Sequence, residues 1–279
     1  MIGDHPVLVA FEQSVLDQDK VLRSHGRSPI PRRKAREAFR WVSNLCSPTN
    51  RVAERHATAL RERLRAQPGR AVILVVGGGT IGSGALGLYD DDLVDIVGFD
   101  IYASPHTQFI ADAHAIPLAD GSVHAVWVQA VLEHVLDPFH VVEEIERVLI
   151  PNGLVYAETP FLQQVHEGAY DFMRFTESGH RWLFRRFERL NSGVVAGPGT
   201  QLAWTMDHAT RALFRSKLAG RAVRLFSFWT RVIDRVASPP FAIDDASCVF
   251  FFGRKTGVEL TPREIIDHYQ GAQRSKASR

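Results

Sequence analysis

The sequence predicts an α/β fold, with a mostly parallel β-sheet and helices on both of its faces. Residues 71–76 read Ala-Val-Ile-Leu-Val-Val, a continuously apolar and β-branched run typical of a strand buried on both faces. A glycine-rich turn at 77–84 follows this strand directly. Downstream, strand-like and helix-like segments alternate, which favours a sheet wound with helices on each side.

The periodicity of apolar residues places the remaining elements. Further strands are predicted at 94–100, 123–128, 153–157 and 247–252, and helices at 7–22, 35–46, 49–66, 139–149, 178–187, 201–219 and 221–237. These elements suggest an N-terminal helical extension (1–69), a core domain (70–255) and a polar C-terminal tail (256–279) expected to be mobile. A helical insertion at 205–237 is predicted to interrupt the core domain before its last strand.

Composition excludes several protein classes. The chain has 279 residues, of which 45% are hydrophobic, which is enough for a sizeable core. No apolar run approaches the roughly 20 residues that span a bilayer, and the N-terminus does not resemble a signal peptide. Cys46 and Cys248 are far apart without CxxC spacing, so neither a disulfide framework nor a metal site is expected. A cytoplasmic protein is therefore predicted.

The net charge of +2 conceals a strong segregation of charge. Residues 1–70 hold 14 Lys/Arg and 7 Asp/Glu, residues 71–160 hold 1 and 13, and residues 161–279 hold 18 and 11. The basic ends either pack around the acidic centre and neutralise it, or meet an anionic partner such as a phosphorylated substrate or a membrane surface. Composition alone favours internal neutralisation.

The glycine-rich turn carries the first functional signal. Gly77, Gly79 and Gly82 satisfy the pattern GxGxxG, in which a tight turn brings the backbone close to a nucleotide. Asp100 ends the next predicted strand, where a carboxylate can accept hydrogen bonds from both ribose hydroxyls. This Rossmann-like arrangement serves both NAD and S-adenosylmethionine, so it does not by itself choose between them.

The segments downstream favour S-adenosylmethionine. Asp112 follows a short strand, and an acid there suits the exocyclic amine of adenine. The run 112–122, the run Val-Leu-Glu-His-Val-Leu-Asp-Pro at 131–138 and the run 144–154 resemble class I methyltransferases of the type-11 group. With the glycine-rich turn, this resemblance covers about residues 71–160.

The resemblance implies a seven-stranded, Rossmann-like sheet whose last strand is antiparallel, with S-adenosylmethionine as cofactor. It also implies roles for individual residues. Gly77, Gly79 and Gly82 would approach the methionine part of the cofactor. Asp100, with Ile101 beside it, would hold the ribose, and Asp112 and Ala113 would contact adenine. Gln129 would line the opening through which the methyl group is transferred.

The chain departs from the family pattern at two positions. Val75 stands where the family usually has an acidic residue that helps anchor the cofactor's amino group, and Ile81 displaces the third glycine by one residue. A methyltransferase-like binding protein without activity is therefore one alternative. An NAD-dependent oxidoreductase is another, although it does not explain the Asp112 segment.

The segment 159–176, after the predicted strand 153–157, gathers candidate substrate residues. Besides His134 in the 131–138 run, these are His166, Glu167, Tyr170 and Arg174, a mixture that suits a polar acceptor such as a sugar. His166 is the candidate base towards a hydroxyl, because an unperturbed imidazole titrates near neutrality. Arg174 could pair with a phosphate or carboxylate. The alternative is a structural loop held by an Asp171–Arg174 pair, with Thr176 capping the next helix.

Residues 205–237 alternate arginines with bulky apolar residues. Such helices either pack their apolar face on the sheet or lie on an anionic membrane surface, and the first outcome is the commoner. No nucleic-acid-binding module is recognisable. The sequence thus predicts an S-adenosylmethionine-dependent methyltransferase that O-methylates a small-molecule or glycan-type acceptor, in the cytoplasm and with possible peripheral membrane contact.

Overall fold

The computed structural model describes residues 1–29 and 49–274, so the helix predicted at 35–46 lies outside the described residues. Seven strands form one sheet, namely β1 (Ala71–Val76), β2 (Val94–Asp100), β3 (Phe109–Ile110), β4 (Val123–Gln129), β5 (Leu149–Pro160), β6 (Phe187–Ala196) and β7 (Cys248–Lys255). Their order across the sheet is β3-β2-β1-β4-β5-β7-β6. Neighbouring strands are parallel except at β7, which runs antiparallel to both β5 and β6. The predicted mostly parallel, seven-stranded sheet with an antiparallel last strand is confirmed.

Helices surround this sheet, and in the described part of the chain none is long and apolar enough to cross a membrane. They are α1 (Gln18–Arg23), α2 (Arg51–Arg65), α3 (Pro138–Val148), α4 (Glu177–Leu183), α5 (Pro198–Phe214), α6 (Lys217–Phe226), α7 (Arg231–Val236), α8 (Pro239–Asp244) and α9 (Pro262–His268). Short 3-10 turns also form, among them Leu132–His134 and Gly168–Tyr170.

The core has two layers, one on each face of the sheet. Alternate residues of β1 point to opposite faces: Ile73 packs with the buried side of α2, and Leu74 packs with α3 and α4. Asn50 caps α2 by accepting hydrogen bonds from Val52 N and Ala53 N. The helices predicted on both faces are therefore present. Because β1 lies between β2 and β4, its carboxyl end marks the switch point where such sheets bind ligands.

The N-terminal segment differs from the predicted helix at 7–22. Only a 3-10 turn (Phe11–Gln13) and α1 form there, while Val7 makes a parallel bridge to Ile110. Leu8 N donates to Ile110 O at 2.8 Å, and Ile110 N donates to Pro6 O at 2.9 Å. The free edge of β3 offers unpaired backbone groups, and pairing with them overrides the helical spacing of the apolar residues.

Strand β6 was missed, because residues up to 187 were predicted to be helical and the following ones were not assigned. Helix α4 ends at Leu183, and β6 begins at Phe187. Much of β6 is exposed or half-buried at the edge of the sheet, and exposed edge strands carry polar residues that weaken the apolar signal.

The helical insertion and the C-terminal tail also differ from prediction. Helices α5–α8 occupy residues 198–244 between β6 and β7, a longer insertion than the predicted 205–237. The tail, predicted to be mobile, contains α9, which begins with a capping box between Thr261 and Glu264. His268 Nε2 lies 2.9 Å from Glu177 Oε2, so this part of the tail is fixed against α4.

Buried His180 in α4 should make stability depend on pH. Burial lowers the pKa of His180 to about 3, so the folded protein keeps a neutral imidazole that the unfolded chain protonates below about pH 6.5. Stability is therefore present above that pH and is lost as the pH falls towards the folded value, by up to about 1.4 kcal/mol per pH unit. Replacing His180 by Phe should remove this slope in urea unfolding between about pH 6 and pH 4.

The matched control is His140→Phe, because the side chain of His140 is 47% exposed on α3. That variant should retain the acid-dependent loss of stability. An unchanged pH slope in His180→Phe would show that another group causes it.

Candidate functional site

A cavity of about 510 Å³ opens at the carboxyl edge of the sheet. The ends of β1, β2, β4 and β5 and the loops after them form its walls. Two predicted site residues, Gly79 and Arg174, do not line it. The predicted residues that do are Gly77, Gly82, Asp100, Ile101, Asp112, Ala113, Gln129, His134, His166, Glu167 and Tyr170.

The glycine-rich turn fits tightly against the protein around it. Gly77 has φ +71°, a conformation that residues with a Cβ rarely adopt. A Cβ at Gly77 would overlap Val131, and one at Gly82 would overlap the carboxamide of Gln129. The glycines therefore leave room for the residues that form the mouth of the cavity, and they allow the backbone itself to be the cavity wall.

Asp100 joins this turn to the end of β2. Its Oδ2 accepts a hydrogen bond from Gly79 N at 2.9 Å, and its Oδ1 accepts one from Ile101 N at 2.7 Å. A Cβ at Gly79 would overlap the Tyr102 hydroxyl and the Asp100 carboxylate. Gly79 thus positions Asp100 through its backbone N–H, and its predicted contact with the methionine part stays a prediction. Asp100 itself lines the cavity.

Asp112 lies in the cavity wall with 5% of its surface exposed. Its Oδ1 accepts from His114 N at 3.0 Å and from His114 Nδ1 at 2.6 Å, and its Oδ2 accepts from the Ser14 hydroxyl. Burial opposes ionisation, but these hydrogen bonds outweigh it and lower the pKa of Asp112. An ionised carboxylate can accept about four hydrogen bonds, so Oδ2 retains capacity for a further donor. The N-terminal segment, through Val15 and Ser28, contributes to the same wall.

Glu158 is a cavity residue that the sequence analysis missed. It lies at the end of β5, in register with Gln129 of β4. It accepts hydrogen bonds from Asn50 Nδ2 at 2.9 Å, Gln129 Nε2 at 2.9 Å and the Tyr156 hydroxyl. Burial raises the pKa of Glu158 and these hydrogen bonds oppose that rise. Its position at the carboxyl end of a central strand was the signal that could have identified it.

The loop 163–176 has one structural side and one side that faces the cavity. Arg174 donates from Nε to Gln163 O and from Nη2 to Asp171 Oδ2, both at 2.8 Å. Burial opposes the ionisation of Asp171, but the hydrogen bonds from Arg174 outweigh burial and hold the pKa of Asp171 at about 2. Arg174 thus stabilises the loop, as the structural alternative predicted, and its predicted contact with substrate is not supported. Thr176 accepts from Gly179 N at 3.0 Å and caps α4, while His166 lines the cavity.

Glu133 and His134 lie in the 3-10 turn beside this loop. Glu133 has no exposed surface, and burial raises the pKa of its carboxyl to about 8. Burial also lowers the pKa of His134, whose Nδ1 lies 2.7 Å from Tyr170 O. Glu133 Oε1 lies 3.7 Å from His134 Nε2 and 3.9 Å from His166 Nε2. Three potential metal ligands therefore meet where the sequence predicted no metal site.

Part of the chain matches a known protein family, and its fold is similar to that of several solved structures. The family profile described as a methyltransferase domain matches residues 77–157, and no curated protein matches the chain. Among solved structures, the [4+2]-cyclase SpnF is 19% identical, with 82% of this chain and 99% of that chain covered and a TM-score of 0.47.

Two further solved structures are similar to the chain. Geranyl diphosphate C-methyltransferase from Streptomyces coelicolor A3(2) is 14% identical, with coverage of 82% and 86% and a TM-score of 0.48. Phosphoethanolamine N-methyltransferase 2 from Haemonchus contortus is 15% identical, with coverage of 72% and 52% and a TM-score of 0.46.

Proposed function

This chain is an S-adenosylmethionine-dependent methyltransferase, as its methyltransferase domain at 77–157 shows. We propose that it methylates a hydroxyl oxygen of a small-molecule or glycan-type acceptor. The observation that carries the proposal is the pair of imidazoles, His134 and His166, that lines the cavity together with Asp100 and Asp112. One cavity therefore offers acidic groups for a nucleoside and nitrogen bases for an acceptor.

The cofactor would occupy the part of the cavity next to the glycine-rich turn. Asp100 would accept hydrogen bonds from the ribose hydroxyls, and Asp112 would accept one from the adenine amine. A cavity of about 510 Å³ falls in the range of ligand pockets, roughly 300–1,000 Å³.

The acceptor would lie beside His134, His166, Glu167 and Tyr170. The sulfonium already activates the methyl group, so the enzyme mainly aligns the two reactants. A hydroxyl acceptor also needs a base, because a neutral hydroxyl is a weak nucleophile. His166 supports this role: its Nδ1 lies 3.3 Å from Asp171 Oδ2, an arrangement in which a carboxylate orients a catalytic imidazole.

The proposed methyl transfer is a single displacement at the methyl carbon. The acceptor O–H proton passes to His166 Nε2 while the oxygen forms a bond to the methyl carbon. The bond between that carbon and sulfur breaks, and its electron pair stays on sulfur. The products are the O-methylated acceptor and S-adenosylhomocysteine.

The test is incubation of the purified protein with S-adenosylmethionine tritiated in the methyl group and a panel of sugars, glycosides and phenols, with amines for comparison. The proposal expects label in a non-basic product that resists mild alkali, as a methyl ether does. His166→Ala should lower kcat while leaving cofactor affinity unchanged. Label only in amines or at carbon, or full activity in His166→Ala, would contradict it.

Peripheral association with an anionic membrane is a second part of the proposed function. The helices α5–α8 expose large apolar side chains, and the region 205–237 has seven Lys/Arg against two Asp. One of these acids, Asp207, is fully buried and paired with Arg211. Exposed apolar groups in a region with an excess of basic residues are typical of surfaces that bind anionic lipid. The exposed side chains are Leu202, Leu213, Phe214, Leu218, Phe226, Phe228, Trp229, Val232, Val236 and Phe241.

Vesicle co-sedimentation tests this association. The protein should bind vesicles rich in phosphatidylglycerol, and this binding should weaken at high salt. It should not bind vesicles of phosphatidylcholine alone. Because burying one large apolar side chain yields roughly 1.5–3 kcal/mol, the double variant Phe228→Ser/Trp229→Ser should bind at least about tenfold more weakly. Leu93→Ser, which removes an exposed apolar side chain outside the insertion, should bind normally. Equal binding by both variants would exclude the insertion as the membrane contact.

A further inference from the structure

Three side chains at the wall of the cavity are spaced like the ligands of one ion. The ligand atoms of Glu133, His134 and His166 all lie within 4.8 Å of one another. Glu133 Oε1 is 3.7 Å from His134 Nε2 and 3.9 Å from His166 Nε2, which is too far for a hydrogen bond. Ligand atoms in a tetrahedral site with bonds of about 2.0–2.1 Å lie roughly 3.3 Å apart. We propose that these three residues bind a divalent transition-metal ion.

The carboxylate of Glu133 is the second, independent observation. It has no exposed surface, and neither of its oxygens accepts a hydrogen bond from another residue in the parts of the chain that the structure describes. The guanidinium that acts on it, Arg174, is already paired with Asp171. A buried carboxyl group without a hydrogen-bond partner is costly whether it is neutral or ionised, and a cation between Glu133 and the two imidazoles would stabilise its ionised form.

Both imidazoles are oriented for metal binding. His134 Nδ1 lies 2.7 Å from Tyr170 O, and because a carbonyl can only accept, Nδ1 must carry the proton. The lone pair of a neutral His134 is then on Nε2, which faces Glu133. His166 Nδ1 lies 3.3 Å from Asp171 Oδ2, which favours the same tautomer. Metal-binding histidines typically donate their other N–H to a carbonyl or a carboxylate in this way.

The backbone holds the two segments of the site together. Glu133 O accepts hydrogen bonds from Phe172 N at 2.8 Å and Met173 N at 3.2 Å, so the 3-10 turn and the loop of His166 form one unit. His134 and His166 line the cavity, whereas Glu133 lies behind them. A bound ion would therefore have protein on one side and an open coordination position towards the cavity, as catalytic metal sites do.

The ligand set indicates the class of ion. Imidazole favours Zn²⁺, Fe²⁺, Ni²⁺ and Cu²⁺ over Mg²⁺ and Ca²⁺, which prefer oxygen ligands. Two histidines with one carboxylate suit Zn²⁺ or Fe²⁺. In the loaded protein His166 Nε2 would be a ligand and could not accept a proton, so the proposed methyl transfer with His166 as base belongs to the metal-free protein. Metal binding itself depends neither on methyl transfer nor on the identity of the acceptor.

Calorimetric titration of the chelator-treated full-length protein with Zn²⁺ tests the proposal. One ion per chain should bind, and binding of Co²⁺ should give the visible absorption of a low-symmetry site. Because loss of a supporting partner already costs roughly 10- to 100-fold in metal affinity, Glu133→Gln and His166→Ala should each weaken Zn²⁺ binding by at least that factor. Circular dichroism and cofactor affinity would show that both variants fold.

A matched control comes from α3. His140 Nδ1 lies 3.7 Å from Glu143 Oε2, the same separation as in the proposed site, but this pair is exposed and belongs to no group of three ligands in the described chain. His140→Ala should bind Zn²⁺ as the parent does. The proposal fails if the parent does not bind Zn²⁺, or if Glu133→Gln and His166→Ala bind it as tightly as the parent.

Discussion

Replacing Asp100 by Ala should weaken the binding of S-adenosylhomocysteine by at least about 100-fold. The carboxylate lines the cavity at the end of β2 and is fixed by hydrogen bonds from Gly79 N and Ile101 N. It is expected to accept two charge-assisted hydrogen bonds from the ribose hydroxyls, each worth roughly 1.5–3 kcal/mol. Isothermal titration calorimetry measures the loss directly, and NAD titrated in parallel should not bind to either protein.

Asp95→Ala is the matched control, because Asp95 belongs to the same strand but forms an exposed ion pair with Arg70. That variant should bind the cofactor as the parent does. Equal affinities in Asp100→Ala and Asp95→Ala would mean that the carboxylate at the end of β2 does not hold the ribose.

Replacing Gly82 by Val should abolish measurable cofactor binding while leaving the fold intact. A Cβ at this position would overlap the Gln129 carboxamide, whose Nε2 donates to Ser83 O at 3.1 Å and to Glu158 Oε2 at 2.9 Å. The branched side chain would displace Gln129 into the cavity and break both hydrogen bonds. Calorimetry with S-adenosylhomocysteine measures the loss, and circular dichroism measures the fold.

Gly87→Ala controls for the general effect of replacing a glycine near this turn. A Cβ at Gly87 would meet only the Arg61 guanidinium, at 3.9 Å. Cofactor affinity should therefore be unchanged in this variant. If Gly82→Val bound the cofactor normally, the assignment of this turn to the cofactor would have to be abandoned.

The local pattern predicted the central strands and the packing helices because their burial repeats along the chain. The run at 71–76 became β1, buried almost throughout, and the helix at 49–66 became α2. The prediction for the N-terminal segment was wrong, because the conformation of this segment depends on pairing with Ile110, a residue about a hundred positions away. A short window of sequence around residues 7–22 does not include the β3 edge with which this segment pairs.

Some residues of the site could likewise be predicted from local sequence, and others could not. Asp100 and the glycines follow a strand and could be found by spacing, and the Asp171–Arg174 pair was visible because its members are three residues apart. Glu158 and Asn50 are separated by 108 positions, so their contact is a product of the tertiary fold. The meeting of Glu133 with His166 likewise depends on how the loop 163–176 folds back onto the 3-10 turn.

We expect this cavity to hold S-adenosylmethionine with its methyl group directed towards the imidazoles. A crystal structure of the complex with S-adenosylhomocysteine tests it most directly. In this complex the ribose hydroxyls should lie within hydrogen-bonding distance of Asp100, and adenine should lie beside Asp112 and Ala113. The sulfur should face the side of the cavity that carries His134 and His166. A ligand bound outside the cavity, or one whose sulfur faces away from both imidazoles, would contradict it.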